Sequence, residues 1–148
     1  MKILGSILIL ASSILASYYY EKSYKAKILN CENIIDFISY IRAQIDYFSY
    51  PINIIYQKYD KKTDVIEYLI NNNDATKKLI DANTDKKINE FFSSIGMGFK
   101  KEQLSLCDYN LELLNKKADT LKREYPNKIK VFRSMSLFIG ICMVIIFI

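Results

Sequence analysis

Lys25–Ser49 reads KAKILNCENIIDFISYIRAQIDYFS, and this stretch decides the fold class. Its apolar residues recur at steps of three and four, which places them on one stripe of a helix. The stripe consists of Ile28, Cys31, Ile34, Ile35, Ile38, Ile41, Ile45 and Phe48. Because a residue that precedes proline avoids the helical conformation, we expect Pro51 to end this helix or to turn the chain sharply.

Shorter helices are predicted between this stretch and the last third of the chain. Asp64 can cap a helix over Val65–Ile70, and Asp74 can cap a short piece that runs through Ile80. Asp85–Ile95 reads as another helix. Inward-facing residues are expected on this helix and on a short one that follows the first proline. They are Ile52, Ile55, Tyr56, Tyr59, Ile88, Phe91, Phe92 and Ile95.

A long final helix is predicted to begin near Lys100, after Gly96-Met97-Gly98 has ended the preceding helix as a glycine C-cap. Pro126 should kink or interrupt it. Its apolar stripe consists of Leu104, Cys107, Leu111, Leu114, Ala118 and Leu121. Since no strand alternation is found in the sequence, residues 21–130 are predicted to form a small all-α helical bundle.

The N-terminal end of the chain is apolar. Residues 3–20 carry no charge and end in three tyrosines, Tyr18–Tyr20, which suits the aromatic belt at a membrane surface. Eighteen helical residues at about 1.5 Å each span roughly 27 Å, enough for a thin hydrocarbon layer. A cleaved signal peptide is the alternative, because Lys2 and the small residues near Ala16 partly fit that pattern.

The C-terminal end is apolar as well. Met135–Ile148 contains fourteen residues, which is short for a membrane span. Counting back through Val131 and Phe132 lengthens it, provided that Arg133 extends its guanidinium group to the lipid headgroups. A buried core helix is the alternative, but this uninterrupted apolar tail suits a transmembrane helix better than a soluble surface.

The placement of Lys and Arg predicts the topology. Residues 116–133 hold seven basic and two acidic residues, a balance that equals the formal net charge of +5 of the whole chain. By the positive-inside rule, residues 21–130 are then cytoplasmic and lie between transmembrane helices over 1–20 and 131–148. An anionic membrane surface is the expected target of the basic cluster, with partner contact as an alternative and nucleic acid disfavoured. The cluster consists of Lys116, Lys117, Lys122, Arg123, Lys128, Lys130 and Arg133.

Enzyme chemistry is not expected. The chain has no histidine, which removes the usual proton shuttle, the Ser-His and Cys-His nucleophile pairs and most zinc sites. Cys31, Cys107 and Cys142 are far apart and odd in number, so they are interpreted as buried apolar residues in a reducing compartment. We therefore predict no catalytic residue, no cofactor, no metal and no small-molecule substrate.

Four tyrosines lie close to the first proline in the sequence. A tyrosine offers contact area and a hydroxyl group at low entropic cost, so such a group suits a protein contact surface. The alternative is that the rings complete the core. We favour the core for Tyr47 and Tyr56, and we keep Tyr50 and Tyr59 as candidate partner contacts.

The end of the first long helix carries a short motif. Gln44–Ile52 reads QIDYFSYPI and resembles the pattern Glu-Ile-x-Tyr-x-x-x-Pro-Leu. Tyr47 and Pro51 match this pattern, while Gln44 replaces the acidic residue and Ile52 replaces the leucine.

A second motif precedes the final helix. Ile95–Gln103 reads IGMGFKKEQ and resembles Leu-Gly-x-Ser-Asp-x-x-x-Gln, with Gly96 and Gln103 matching and Gly98-Phe99 replacing the Ser-Asp pair. Together with the two apolar ends and the chain length, these motifs make the chain similar to the stage III sporulation protein AB family.

The resemblance implies a structural role. The family belongs to a complex that links mother cell and forespore across their facing membranes, and its domain is similar to the F-type platform proteins of type II secretion. Such platforms couple a cytoplasmic ATPase to an assembly outside. The implied partners are an ATPase like stage III sporulation protein AA and other membrane subunits of the complex. The alternative is a membrane-anchored regulatory or sensor protein.

Overall fold

The computed structural model describes residues 2–48, 50–61, 63–71 and 78–147. These residues form five helices and, within the described ranges, no strand. The helices are α1 (Lys2–Phe48), α2 (Ile52–Lys58), α3 (Asp64–Asn71), α4 (Ala82–Ser94) and α5 (Lys100–Phe147). The all-α class predicted from the sequence is confirmed.

Two compact units make up the chain. Residues 27–119 form one unit, which we call the helical domain, and residues 1–26 with 120–148 form the other, which we call the apolar unit. Helices α1 and α5 contribute residues to both units. Each unit is described by itself below.

The core of the helical domain is built on the apolar stripe of α1. Phe37, which the spacing argument left out, is fully buried. Phe48, predicted to be inward, is exposed, because it is the last residue of α1 and lies beyond the part of the helix that the core covers. The residues of the predicted stripe that are buried are Cys31, Ile34, Ile38, Ile41 and Ile45. Ile28 and Ile35 are half-buried, so the fully buried part of the stripe runs from Cys31 to Ile45.

Aromatic rings fill the centre of this core. The ring of Phe37 lies 4.6 Å from that of Tyr59 and 5.7 Å from those of Tyr56 and Phe92, measured between centroids. Burial raises the pKa of Tyr56 to about 12. Tyr59 is only 7% exposed and also packs on Tyr40, so its predicted role as a partner contact gives way to a core role.

The short helices begin at different places from those predicted. Helix α3 includes Asp64 itself, and the carbonyl of Thr63 accepts the N–H of Glu67. Helix α4 begins at Ala82, three residues early, because the side chain of Asp81 caps it by accepting the N–H of Thr84 at 3.1 Å. Most of the piece predicted to follow Asp74 lies outside the described residues, and its last three residues, 78–80, are described and are not helical.

Asp85 has a different role from a helix start. Its buried carboxylate accepts the N–H groups of Leu79 and Ile80 at 3.1 and 3.0 Å, which holds the segment ahead of α4 in place. Burial raises the pKa of Asp85, against the effect of these two hydrogen bonds. Sequence spacing gave no sign of this anchoring.

Helix α5 differs from expectation at one position. Pro126 lies inside the helix, which continues to Phe147, so the predicted interruption does not occur. Of the predicted stripe, Cys107, Leu114, Ala118 and Leu121 are buried, while Leu104 and Leu111 are half-buried. Within the described residues, α5 supplies the one helix that is long and apolar enough to cross a membrane, and only 11% of its apolar stretch is buried inside the protein.

The apolar unit is held together by polar and aromatic contacts. The rings of Tyr20 and Phe132 stack at 4.0 Å with 8° between their planes. The Ser136 hydroxyl donates to the Ser13 carbonyl at 2.7 Å. Glu21 accepts from the Tyr125 hydroxyl at 2.9 Å and from the Arg133 guanidinium at 3.0 Å. Segments of α1 and α5 therefore pack side by side in this unit.

Candidate functional site

The two family-like motifs lie side by side in the helical domain. A Cβ atom on Gly96 would lie 3.0 Å from Cγ2 of Ile52, so the turn after α4 packs directly on the start of α2. The ammonium group of Lys100 donates to the backbone carbonyl of Asp46 at 2.5 Å and lies 3.8 Å from its carboxylate. The end of α1 and the beginning of α5 therefore meet.

The glycines of the second motif form the turn between α4 and α5. Gly96 has φ +90° and Gly98 has φ +96°, a conformation that other residues adopt only with strain. The side chain of Glu102 accepts the N–H of Phe99 at 3.2 Å, and Gln103 donates to the carbonyl of Gly98 at 3.0 Å. Glu102 thus caps the N-terminus of α5.

Gly98→Ala should lower the stability of the helical domain by about 1–2 kcal/mol, the typical cost of the left-handed conformation for a residue with a Cβ atom. The new atom would also lie 2.6 Å from the Glu102 carboxylate, which would have to give up its position over the α5 N-terminus. Thermal unfolding followed by circular dichroism measures the change.

Gly5→Ala is the matched control for this substitution. Gly5 lies inside α1, and apart from its chain neighbours and the backbone of its own helix, no atom of the described residues lies within 4 Å of the position that its Cβ atom would occupy. Alanine should therefore favour the helix there by about 0.5–1 kcal/mol. Equal unfolding temperatures for the two variants would contradict the proposed strain at the turn.

Large apolar side chains are exposed around these two turns. Tyr47 and Phe99 are each 80% exposed, and Met97 is 74% exposed. We call the whole set the turn surface; it comprises Tyr47, Phe48, Ile54, Met97 and Phe99. Exposed apolar area of this kind in one place is typical of a surface that another molecule covers.

The tyrosines near the turn differ from the sequence interpretation in one case. Tyr47, expected in the core, is exposed on the turn surface. Tyr56 is half-buried among core rings, as predicted. Tyr50 is half-buried, its ring stacks on Phe48 at 5.3 Å, and the ammonium group of Lys58 lies 4.1 Å from its centroid. Tyr50 therefore borders the turn surface and retains an accessible edge.

The basic cluster predicted from the sequence is divided between the two units, and much of it is paired. In the helical domain, Lys116 pairs with Glu112 at 2.6 Å and Lys117 with Asp81 at 2.7 Å. In the apolar unit, Lys128 pairs with Glu124 at 2.7 Å. Arg133, in the same unit, pairs with Glu21, as described above.

The remaining members of the cluster lie in the apolar unit. Arg123 and Lys130 are exposed, while Lys122, also exposed, has an interaction partner. The positive charge of the cluster is therefore not spread evenly along α5, and the few unpaired groups matter most for binding an anion.

The cysteines are not placed for nucleophilic chemistry. Cys31 and Cys107 are buried, and burial raises the pKa of the Cys107 thiol to about 11. A thiol with such a pKa stays protonated at neutral pH and is a poor nucleophile. Cys142, expected to be buried, is exposed on the apolar part of α5. Within the described residues, no group of three or more acidic or cysteine side chains could hold a metal ion.

Comparison with known proteins identifies one family. The family model of stage III sporulation protein AB matches residues 2–66, which is 65 of the 148 residues. The match includes all of α1 and the Tyr47–Pro51 motif, and it ends before the Gly96–Gln103 motif. No curated protein and no solved structure matches the chain. The family resemblance inferred from the sequence is thereby supported.

Proposed function

We propose that this chain, whose match over residues 2–66 supports its assignment to the stage III sporulation protein AB family, is a non-enzymatic platform component of the channel complex between mother cell and forespore. In this role it couples a secretion-type ATPase to the other membrane subunits. The family match is the observation that carries the proposal, and it supports a role in sporulation directly.

Membrane attachment supports the proposal. The apolar stretch of α5 has little of its surface buried inside the protein, which is unlike the core helix of a soluble domain. The apolar N-terminal segment packs beside it and serves as the second span, because its described side chains Ile7, Leu8, Ile14 and Leu15 are exposed as well. By the positive-inside rule, the helical domain then faces the mother-cell cytoplasm.

The turn surface supplies the contact with a partner protein. Rings and a methionine side chain that are about three-quarters exposed gain free energy when a partner removes them from water, at about 25 cal/mol per Å². Aromatic side chains are also the ones that most often dominate protein–protein binding. The helical domain would present Tyr47, Met97 and Phe99 together to the ATPase.

A crosslinking experiment tests this role. A photo-crosslinking amino acid in place of Met97, introduced into the full-length protein in sporulating cells, should give a crosslinked product that contains the secretion-type ATPase. The same amino acid in place of Asn83, which is exposed at the start of α4, should give little or none of this product. Mass spectrometry of the product identifies the partner.

Two results would contradict the proposal. If neither position captured a subunit of the complex while the protein was present at its normal level, the platform role would be wrong. If both positions captured the ATPase equally, the ATPase would bind the domain without using the turn surface.

A further inference from the structure

The apolar unit contains a groove of about 510 Å³ at the place where α5 changes from charged to apolar. Its polar wall includes Glu21, Tyr125, Lys130, Arg133 and Ser134. Its apolar wall includes Ile129 and Leu137. A volume of several hundred Å³ is the size of a small-molecule binding site, and here a cationic part adjoins an apolar part.

Positive charge is in excess at this groove. Glu21 is shared by two cations, because the ammonium group of Lys25 lies 3.0 Å from its Oε1 and the guanidinium group of Arg133 lies 3.0 Å from its Oε2. Lys130 adds a third cation, and no acidic side chain of the described residues pairs with it. The lining therefore carries two cations, Lys130 and Arg133, against the one carboxylate of Glu21, which Lys25 also helps to neutralise, and the site favours an anion.

The position of Arg133 is fixed by its surroundings. Hydrogen bonds from Lys25 and from Tyr125 hold the pKa of Glu21 below its usual range, so the carboxylate stays charged at neutral pH. The charged Glu21 holds one nitrogen of the guanidinium group and leaves the side chain 61% exposed. The Arg133 guanidinium group is therefore held in one orientation, and its other N–H groups can donate hydrogen bonds to a ligand.

The groove lies beside the apolar surface of α5. Leu137 is seven residues beyond Lys130, which is about 10 Å along a helix. Leu137 and the following Phe138 and Ile141 are exposed. A ligand that fills the groove therefore meets cations at one end and hydrocarbon-facing side chains at the other.

We propose that this groove binds the headgroup of an anionic phospholipid. Its phosphate would lie between Lys130 and Arg133, the hydroxyl of Ser134 would face the glycerol region, and the first acyl carbons would follow Leu137. Basic pockets beside membrane helices are known to hold such headgroups. The inference rests on the membrane placement in the proposed function, and it extends that function to a specific lipid site.

The pattern of ion pairs distinguishes lipid binding in this groove from general electrostatic attraction of lipid to the basic cluster. If charge alone decided lipid binding, neutralising any lysine of the cluster would have a similar effect. The groove requires instead that Lys130 matters and that Lys116, which is already paired with Glu112 in the helical domain, does not.

Native mass spectrometry of the full-length protein in a neutral detergent tests the proposal. The probes are phosphatidylglycerol and phosphatidylcholine with identical acyl chains, and glycerol 3-phosphate as a headgroup without chains. The wild type should retain phosphatidylglycerol in preference to both other probes. Lys130→Gln should reduce this retention about fivefold, the effect of roughly 1 kcal/mol for one charge near an anionic lipid. Lys116→Gln should leave it unchanged.

Several outcomes would overturn the lipid site. These are equal retention of the two phospholipids, equal loss in the two lysine variants, and retention of glycerol 3-phosphate as strong as that of phosphatidylglycerol. No partner protein is present in this experiment, so its result is independent of the ATPase contact. Conversely, Lys130→Gln should leave the crosslink from position 97 intact, which distinguishes failure of the lipid site from failure of the platform role.

Discussion

Phe37→Ala should lower the unfolding temperature of the helical domain by more than about 10 °C. Phe37 is fully buried, and its ring contacts those of Tyr56, Tyr59 and Phe92 on two other parts of the domain. Removing a buried phenyl ring typically costs about 3–5 kcal/mol, since contacts are lost and a cavity remains. In a domain of 93 residues, residues 27–119, each kcal/mol shifts the midpoint by about 4–8 °C.

The measurement uses the full-length protein in detergent, so that the apolar unit stays intact. Both units contribute to the near-ultraviolet circular dichroism of the tyrosine rings and to the far-ultraviolet signal of the helices, so the change is read as the difference between each variant and the wild type. Phe99→Ala is the matched control, because it removes the same ring from an exposed position. Its expected cost is within about 0.5 kcal/mol. Similar midpoints for the two variants would show that Phe37 is not central to the core.

The helical periodicity of α1 was readable from the sequence because it is regular and long. Five of the predicted stripe residues are buried, and they fix the side of α1 that the shorter helices cover. Phe37 was missed because a strict stripe is narrower than the surface that several helices cover at once. It lies three residues after Ile34 and four before Ile41, so the spacing itself was compatible with burial.

Helix boundaries were less predictable, for local reasons. Asp81 and Asp85 have the same residue type at a spacing of four, and both could have capped α4. Only tertiary packing decides between them, since the Asp85 carboxylate already accepts the N–H groups of Leu79 and Ile80. Pro126 similarly lies inside α5, although proline is usually unfavourable within a helix.

The turn surface could be predicted only in part. Tyr47 follows the buried Ile45 by two positions, which is about 200° around a helix, so the periodicity already placed it opposite the core. Met97 and Phe99 lie at a turn that has no period, and no spacing rule predicts their exposure. Glu102 had a local signal, because it stands three residues after the residue that it caps.

Charge pairing shows the same division between local and distant contacts. The pairs Glu112–Lys116 and Glu124–Lys128 have the helical spacing of four and could have been read from the sequence. The pairs Lys117–Asp81 and Arg133–Glu21 join residues that are far apart in the chain. The sequence alone therefore gives the net charge of the basic cluster, but it does not predict which of its basic groups are unpaired.

Tyr47→Ala should weaken the proposed contact with the ATPase by about 30-fold or more, while the unfolding temperature stays nearly unchanged. The Tyr47 ring is 80% exposed and contributes little to the folded domain by itself. An aromatic residue at the centre of an interface commonly contributes about 2 kcal/mol or more, and about 1.4 kcal/mol corresponds to a factor of ten in affinity. Binding to the purified ATPase, measured with the full-length protein in detergent, gives the ratio of affinities.

Tyr109→Ala is the control that decides whether position or exposure matters. Tyr109 is an exposed tyrosine of the same domain, but it lies on α5 ten residues beyond Phe99 and away from the two turns. Its removal should change the affinity by less than about threefold, as is usual for residues outside a central contact. Equal losses would mean that the ATPase covers a much larger part of the domain. An unchanged affinity for Tyr47→Ala would exclude Tyr47 as an anchor. Since the ring lies outside the core, its removal should not change the fold in a way that offsets a lost contact.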